Sequence, residues 1–393
     1  MADNDDRQGG MTDRPGLGGA KGGAALTRRA ALGLAAGVAA LGEGPMVRAS
    51  VRSADPSAEP AALPRAPQPQ TLVSRIGFGS CLHQDRPAPA LEAAASSGPD
   101  LFLFLGDNVY GDRRDDPADL SKMRNAYATL ADRNDMQRLC GAVPVMATWD
   151  DHDYGQNDGG ADYPSKAEAQ ALFLDFWNAA PDDPRRGRPG VYSSAVLGPE
   201  GRRVQIILLD TRTFRSALQR NPEGADRRYR PTDAPGATLL GEAQWAWLET
   251  ELRRPAELRV LASSIQILAD GHGWERWGNF PLERQRLYTL IEETGARGLI
   301  ALSGDRHLAA LYEREDVIGQ RLLEVTSSSL NLDFLKDRRI EEPGPHRVSG
   351  LFTAANSGFV SIDWSAGAVR AGIRDGAGTA VYERGIDFDA LGL

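Results

Sequence analysis

Pro99-Asp100-Leu101-Phe102-Leu103-Phe104-Leu105-Gly106-Asp107-Asn108-Val109-Tyr110-Gly111-Asp112 is the stretch that decides the fold. Five apolar residues in succession, bounded by a proline and a glycine, read as a short buried strand. The strand stops at a Gly-Asp pair, a turn former, and the turn carries a carboxylate, an amide and a phenol within four residues. Other apolar runs of the same kind lie at 73–78, 143–148, 204–209, 260–267 and 299–302. Between most of them lie helical stretches, at 117–130, 165–177 and 241–252. Strand and helix alternate, which predicts an α/β fold with a largely parallel or mixed sheet. After residue 320 the pattern turns strand-rich, at 322–326, 360–364, 369–373 and 379–383. These late strands are expected as a second sheet packed on the first.

Polar residues gather just after the strands. The first run ends in Ser80-Cys81-Leu82-His83, the third in Trp149-Asp150-Asp151-His152-Asp153. The fifth carries Ser263-Ser264-Ile265-Gln266, and the sixth ends in Gly304-Asp305-Arg306-His307. In α/β sheets, ligands bind at the carboxyl ends of strands. Each of these residues also has a bland reading. Asp107 alone is a turn residue, Cys81 a small buried apolar side chain, His307 a hydrogen-bonded structural histidine, and 150–153 a solvated acidic loop. The coincidence of five strand ends outweighs those readings. Carboxylates massed at one edge repel unless cations neutralise them, so a metal centre is the expectation.

The chain has 393 residues and a net charge of −9, from 54 acidic against 45 basic residues. That balance argues against general nucleic-acid binding. No apolar run reaches the roughly 18 to 20 residues that span a bilayer. With two cysteines, Cys81 and Cys140, a disulfide framework is excluded, though one bridge is not. Near the start, Thr27-Arg28-Arg29-Ala30-Ala31-Leu32 precedes a weakly apolar stretch and Val47-Arg48-Ala49. This is the layout of a twin-arginine export signal over 1–49; the competing reading is a short amphipathic helix. A twin-arginine route carries folded proteins, often with cofactor loaded. It implies the export machinery as a partner and a periplasmic or extracellular location. Residues 50–71 hold several prolines and read as a linker, leaving 72–393 as the folded catalytic domain.

These strand-end segments, with Leu209-Asp210-Thr211-Arg212, 240–248 and Glu324-Val325-Thr326-Ser327-Ser328, resemble the alkaline phosphatase D (PhoD-like) family of the calcineurin-like metallophosphoesterase superfamily. The resemblance runs over about 72–375. It implies a metallophosphatase-type four-layer α/β/β/α sandwich with two mixed sheets and metals at the strand ends. It also implies hydrolysis of phosphate mono- or diesters with iron and calcium. Carried over residue by residue, Cys81 replaces the aspartate of the superfamily's Asp-x-His, and His83 stands at its histidine. Asp107 is implied to bridge two metals and Tyr110 to bind one. Asp151 falls on a ligand asparagine, and His152 on a histidine that contacts phosphate. Gln266 stands in place of a late ligand histidine. Asp305 and His307 complete the set.

On this alignment one subsite collects Cys81, Asp107, Tyr110 and His307, with His83 as an optional member. Thiolate, phenolate and imidazole suit Fe3+. The other collects Asp107, Asp151, Gln266 and Asp305. Oxygen-only ligation suits Ca2+, with Mg2+ or Mn2+ as alternatives. The expected reaction is attack on phosphorus by a water deprotonated at the metals, with His152 bonding or protonating the ester and Asn108 donating to a phosphoryl oxygen. Arg306 either joins them or points to solvent. His272, Trp274, Trp277 and Phe280 either line the entrance or pack a surface loop. Two alternatives are a phospholipase-like phosphodiesterase acting on lipid head groups and an inactive relative that binds metal or phosphate.

Overall fold

Leu101, Leu103 and Leu105 face one apolar cluster, and Phe102 and Phe104 face another. A strand whose two faces both enter a core lies in the middle of a layered structure. The computed structural model describes residues 64–113, 115–223, 225, 227–315, 317–333, 342 and 344–393. The expected export signal and the linker as far as residue 63 lie outside the described residues.

Strands are β1 (Arg75–Gly79), β2 (Leu101–Leu105), β3 (Val145–Thr148), β4 (Ser193–Leu197), β5 (Val204–Leu208), β6 (Gln219–Arg220), β7 (Tyr229–Arg230), β8 (Leu258–Ala262), β9 (Leu299–Ser303), β10 (Ala309–Arg314), β11 (Leu322–Ser327), β12 (Asn356–Asp363), β13 (Ala368–Asp375) and β14 (Ala380–Asp387). Helices are α1 (Pro89–Ser96), α2 (Ser121–Ala131), α3 (Asn134–Ala142), α4 (Asp151–Tyr154), α5 (Lys166–Phe176), α6 (Gly241–Leu252) and α7 (Pro281–Thr294).

The strands form two six-stranded sheets, β14-β13-β12-β1-β2-β3 and β10-β11-β9-β8-β5-β4, and a small β6-β7 ribbon. Both large sheets are mixed. In the first, β1, β2 and β3 run parallel and β12 pairs antiparallel with β1. In the second, β11, β9, β8 and β5 run parallel, with β10 and β4 antiparallel at the edges. Leu103, Ile206, Val260, Ile300 and Val360 fill the space between the sheets. Leu91, Met123, Leu139 and Phe173 cover the outer face of the first sheet, and Trp245, Leu248, Leu287 and Ile291 that of the second. Three apolar clusters therefore separate four layers, α/β/β/α, as the resemblance implies.

Two expectations are corrected. The late strands are not a sheet of their own: β11 enters the second sheet beside β9, whereas β12, β13 and β14 extend the first beyond β1. β11 and β12 each pair with the edge strand of a parallel set, and β13 and β14 add outward from β12, an order that short apolar runs cannot announce. The expected linker also ends earlier than residue 71. The Arg65 carbonyl accepts from Val145 N–H at 2.8 Å and the Pro69 carbonyl from Gly198 N–H at 2.8 Å. Residues 64–71 are thus docked on the folded unit.

Candidate active site

The parallel strands of both sheets deliver their carboxyl ends to one place. Among the described residues, three sets of donor atoms each gather within 4.8 Å: Cys81, Asp107 and His307; Asp107, Asp151 and His152; and Asp150, Asp151 and Asp305. Shared Asp107 and Asp151 join them into one continuous cluster. Asp107 Oδ2 lies 3.4 Å from Cys81 Sγ and 3.1 Å from the Tyr110 hydroxyl. That hydroxyl lies 3.1 Å from His307 Nε2. Asp107 Oδ1 accepts the His152 N–H at 3.3 Å.

The turns that present these groups are unusual. Cys81, Asp107, Asp305 and His307 all have left-handed backbone, with φ of 57°, 51°, 67° and 53°. Non-glycine residues in this region cost on the order of 1 kcal/mol or more and concentrate where function demands them. Gly106 precedes Asp107 with φ of 104°, and a Cβ there would stand 2.6 Å from Asp150 Cβ. That close approach brings the ends of β2 and β3 together.

Asp153 ties the same turns from beneath. Its carboxylate accepts from the N–H groups of Asp107 and Asn108, each at 3.2 Å, and of Asp150 at 2.6 Å. Asn108 donates both amide hydrogens inward, to Thr148 O at 2.8 Å and Asp153 Oδ2 at 2.6 Å. The donor role expected of Asn108 toward a phosphoryl oxygen is therefore corrected: its amino group is consumed in holding the turn. His152 is oriented by Asp112, with Nδ1 2.6 Å from Asp112 Oδ1, and its ring lies 4.3 Å from that of Tyr110.

The electrostatics are those of a site built for cations. Burial pushes the Cys81 thiol up to about 12. Burial and neighbouring anions hold Asp107, Tyr110 and Asp305 well above their ordinary ranges. Burial works against a charged His152, but Asp151, Asp107 and Asp112 prevail and raise it. Burial also raises Asp151, yet His152 and Arg212 outweigh it and leave that carboxyl below its usual range. Asp150 Oδ2 and Asp151 Oδ1 are buried acceptors without a hydrogen-bond partner. Orphaned anionic oxygens beside a thiol, a phenol and an imidazole fit a bound pair of cations of different softness.

Other expected residues lie elsewhere. His83 stacks on Tyr110, with centroids 5.3 Å apart, and is not in the donor sets. Gln266 donates to the Tyr312 hydroxyl at 3.1 Å and Thr326 Oγ1 at 3.0 Å, leaving a buried Oε1. Its amino group is thus spent within the protein, while Oε1, the atom a ligand would use, has no hydrogen-bond partner; from the same loop Ser264 donates to Asp150 Oδ1 at 2.7 Å. Arg306 points to neither phosphate nor solvent: it is buried, with Nε 2.7 Å from Glu342 Oε1. His272, Trp277 and Phe280 are buried, and only Trp274 is partly open. Sequence reasoning missed Asp150, Ser264, Arg212 and Glu275. Asp150 stood beside Asp151 at a strand end, and Arg212 followed β5 in one of the family-like segments; Glu275 carried no signal.

Known proteins resemble this chain in sequence and in fold. Alkaline phosphatase D of Bacillus subtilis (strain 168) is 26% identical over 228 residues, covering 53% of this chain and 39% of that protein. This chain thus matches about two fifths of that relative's length. A solved structure described as "Structure of PhoD" superposes with a TM-score of 0.62 at 19% identity, covering 82% of this chain and 73% of the other. That likeness shows the shared fold. The profile of PhoD-like phosphatases matches residues 77–372, and the chain belongs to that family.

Proposed function

We propose that the protein is an exported, metal-dependent hydrolase of phosphate esters. The observation that carries this reading is the convergence of a thiol, a phenol, two imidazoles and four carboxylates on the carboxyl ends of two sheets, around Asp107. Cys81, Asp107, Tyr110 and His307 would hold a ferric ion. Asp107, Asp150, Asp151 and Asp305 would hold Ca2+, or Mg2+ or Mn2+ in its place. His83, expected as a ligand, is left out of this set because it stacks on Tyr110 outside the donor groups; Gln266 would add a further oxygen through its buried, unpartnered Oε1.

Bound cations supply Lewis acidity toward phosphoryl oxygens and a lowered pKa for a water. The chain's own residues do the rest. Asp107 offers an oxygen to each side of the cluster and sets the spacing between subsites. Asp112 fixes the His152 ring, so that Nε2 is the nitrogen left to face the ester. Asp112, bonded at Nδ1, favours the protonated ring, which can bond a phosphoryl oxygen or pass its Nε2 proton to the leaving oxygen. Asp153 and Asn108 keep the β2 and β3 turns rigid while charge shifts across the site.

A diester reading, including lipid head groups, is favoured by one feature. The partly open Trp274 indole lies 5.9 Å from the guanidinium of exposed Arg228, which also bonds Asp158 at 2.9 Å. Asp158 in turn donates its N–H to Asp151 at 2.7 Å, so this basic, aromatic rim adjoins the carboxylates. Steady-state turnover of p-nitrophenyl phosphate against bis-p-nitrophenyl phosphate decides between monoester and diester. Both activities should vanish on chelation and return on adding metal; turnover of neither ester by the metal-loaded protein would overturn the reading.

A further inference from the structure

We propose that Arg212 is a positioning residue for the oxygen-only cation subsite: with Ser264 it occupies one oxygen of Asp150 and leaves the other as the ligand atom. The inference rests on the reading that the acidic cluster holds a cation. Arg212 is fully buried, and its Nε lies 2.7 Å from Asp150 Oδ1. The Ser264 hydroxyl donates to the same oxygen at 2.7 Å and accepts from Thr211 Oγ1 at 2.5 Å. Oδ1 is therefore saturated, whereas Oδ2 is buried without a hydrogen-bond partner, in a carboxylate grouped with Asp151 and Asp305.

The neighbouring carboxylate is treated in the same way by the same network. Glu275 bridges Arg212 Nη1, at 2.7 Å, and Arg215 Nε, at 2.9 Å. Arg215 donates to the carbonyls of Asp158 and Gly159. This fixes the loop whose Asp158 N–H takes Asp151 Oδ2, leaving Asp151 Oδ1 open. Two adjacent aspartates thus each deliver one oxygen of fixed direction, and bidentate binding by Asp150 is blocked.

Arg212 does not serve as a phosphate clamp, because its guanidinium is sealed from solvent and engaged by Asp150 and Glu275. Stability alone is also a weak reason for it, since buried ion pairs are often replaceable by apolar side chains at no cost. A planar fork that orients a carboxylate is what arginine provides and lysine does not.

Calorimetric titration of the metal-stripped full chain with Ca2+, and separately with Mg2+, tests the proposal. Arg212→Lys keeps the charge but loses the fork, and Ca2+ affinity should fall about 10-fold to 100-fold, the range typical of residues that orient metal ligands. Ser264→Ala should move affinity the same way by a smaller factor. Iron content, read by elemental analysis, should stay near wild type in Ser264→Ala, and circular dichroism should show the variant folded. Should Arg212→Lys fail to fold, Ser264→Ala and Glu275→Gln decide. Unchanged affinity in folded variants, or a wild type that binds neither cation, overturns the proposal. Ester turnover is measured separately: tight Ca2+ binding without turnover sinks the hydrolase reading and leaves the positioning role standing.

Discussion

Asp107 carries more of the site than any other residue. Its Oδ2 touches the Cys81 thiol and the Tyr110 phenol, its Oδ1 accepts the His152 N–H, and its backbone is held left-handed by the turn that Gly106 permits. Asp107→Asn should reduce aryl phosphate hydrolysis to background in a protein of native circular dichroism, since an amide cannot offer two anionic oxygens. Asp112 acts one step back. Asp112→Asn frees the His152 ring and removes one of the anions that raise its pKa. We expect kcat to drop about 10-fold to 100-fold with little change in KM, and the alkaline limb of the rate profile to move to lower pH. An unchanged profile would refute the orienting contact. The ligand types were readable from the sequence at this scale, because thiol, phenol, imidazole and carboxylate are chemically distinctive. Which atom each presents was not. Asn108 and Gln266 turn their amino groups into the protein, and only coordinates reveal that.

The strand–turn junction is the unit that builds the site. After β2 the Gly106 carbonyl accepts Cys81 N–H at 3.3 Å and the Asp107 carbonyl accepts Leu82 N–H at 2.8 Å, which holds Asp107 beside the end of β1. Gly106→Ala would place a methyl 2.6 Å from Asp150 Cβ and 2.7 Å from its backbone nitrogen, in a backbone region hostile to side chains. The strain costs on the order of 1–3 kcal/mol, so thermal melting should fall by several degrees and metal content should fall with it. Native melting in that variant would show the turn to be more yielding than described. Element identity was legible where an apolar run stood between turn formers, as at β2 and α6. It was not legible where neighbours decide. β4 was not anticipated, because its serines and alanine carry little strand signal. The run expected over 260–267 stops as a strand at Ala262, because the next residues turn to bring Ser264 to Asp150.

For the whole molecule, charge and fold are coupled. Burial pushes Asp150 and Asp153 up to about 7, and holds Asp107 and Asp305 high as well. A carboxyl whose folded pKa exceeds its unfolded value contributes stability that is complete below about pH 4 and is lost as pH rises through the folded value. Metal-free protein should therefore melt at progressively lower temperature between about pH 4 and pH 8. Ca2+ should restore the loss most at the upper end of that range, and equal Ca2+ stabilisation at pH 5 and pH 8 would argue against the coupling. The α/β class was readable because doubly apolar strands alternate with helices, whereas the four layers were implied by the family resemblance. The assignment of the last strands to two different sheets depends on which edges stand open, a property of the assembled layers. The site as a whole stands on metal held by these scattered side chains. Elemental analysis of the purified full chain is the direct measurement: it should find iron and a second, oxygen-preferring cation bound in near-stoichiometric amounts, both depleted in Asp107→Asn. An active protein that contains neither metal, or a variant that keeps both, would contradict it.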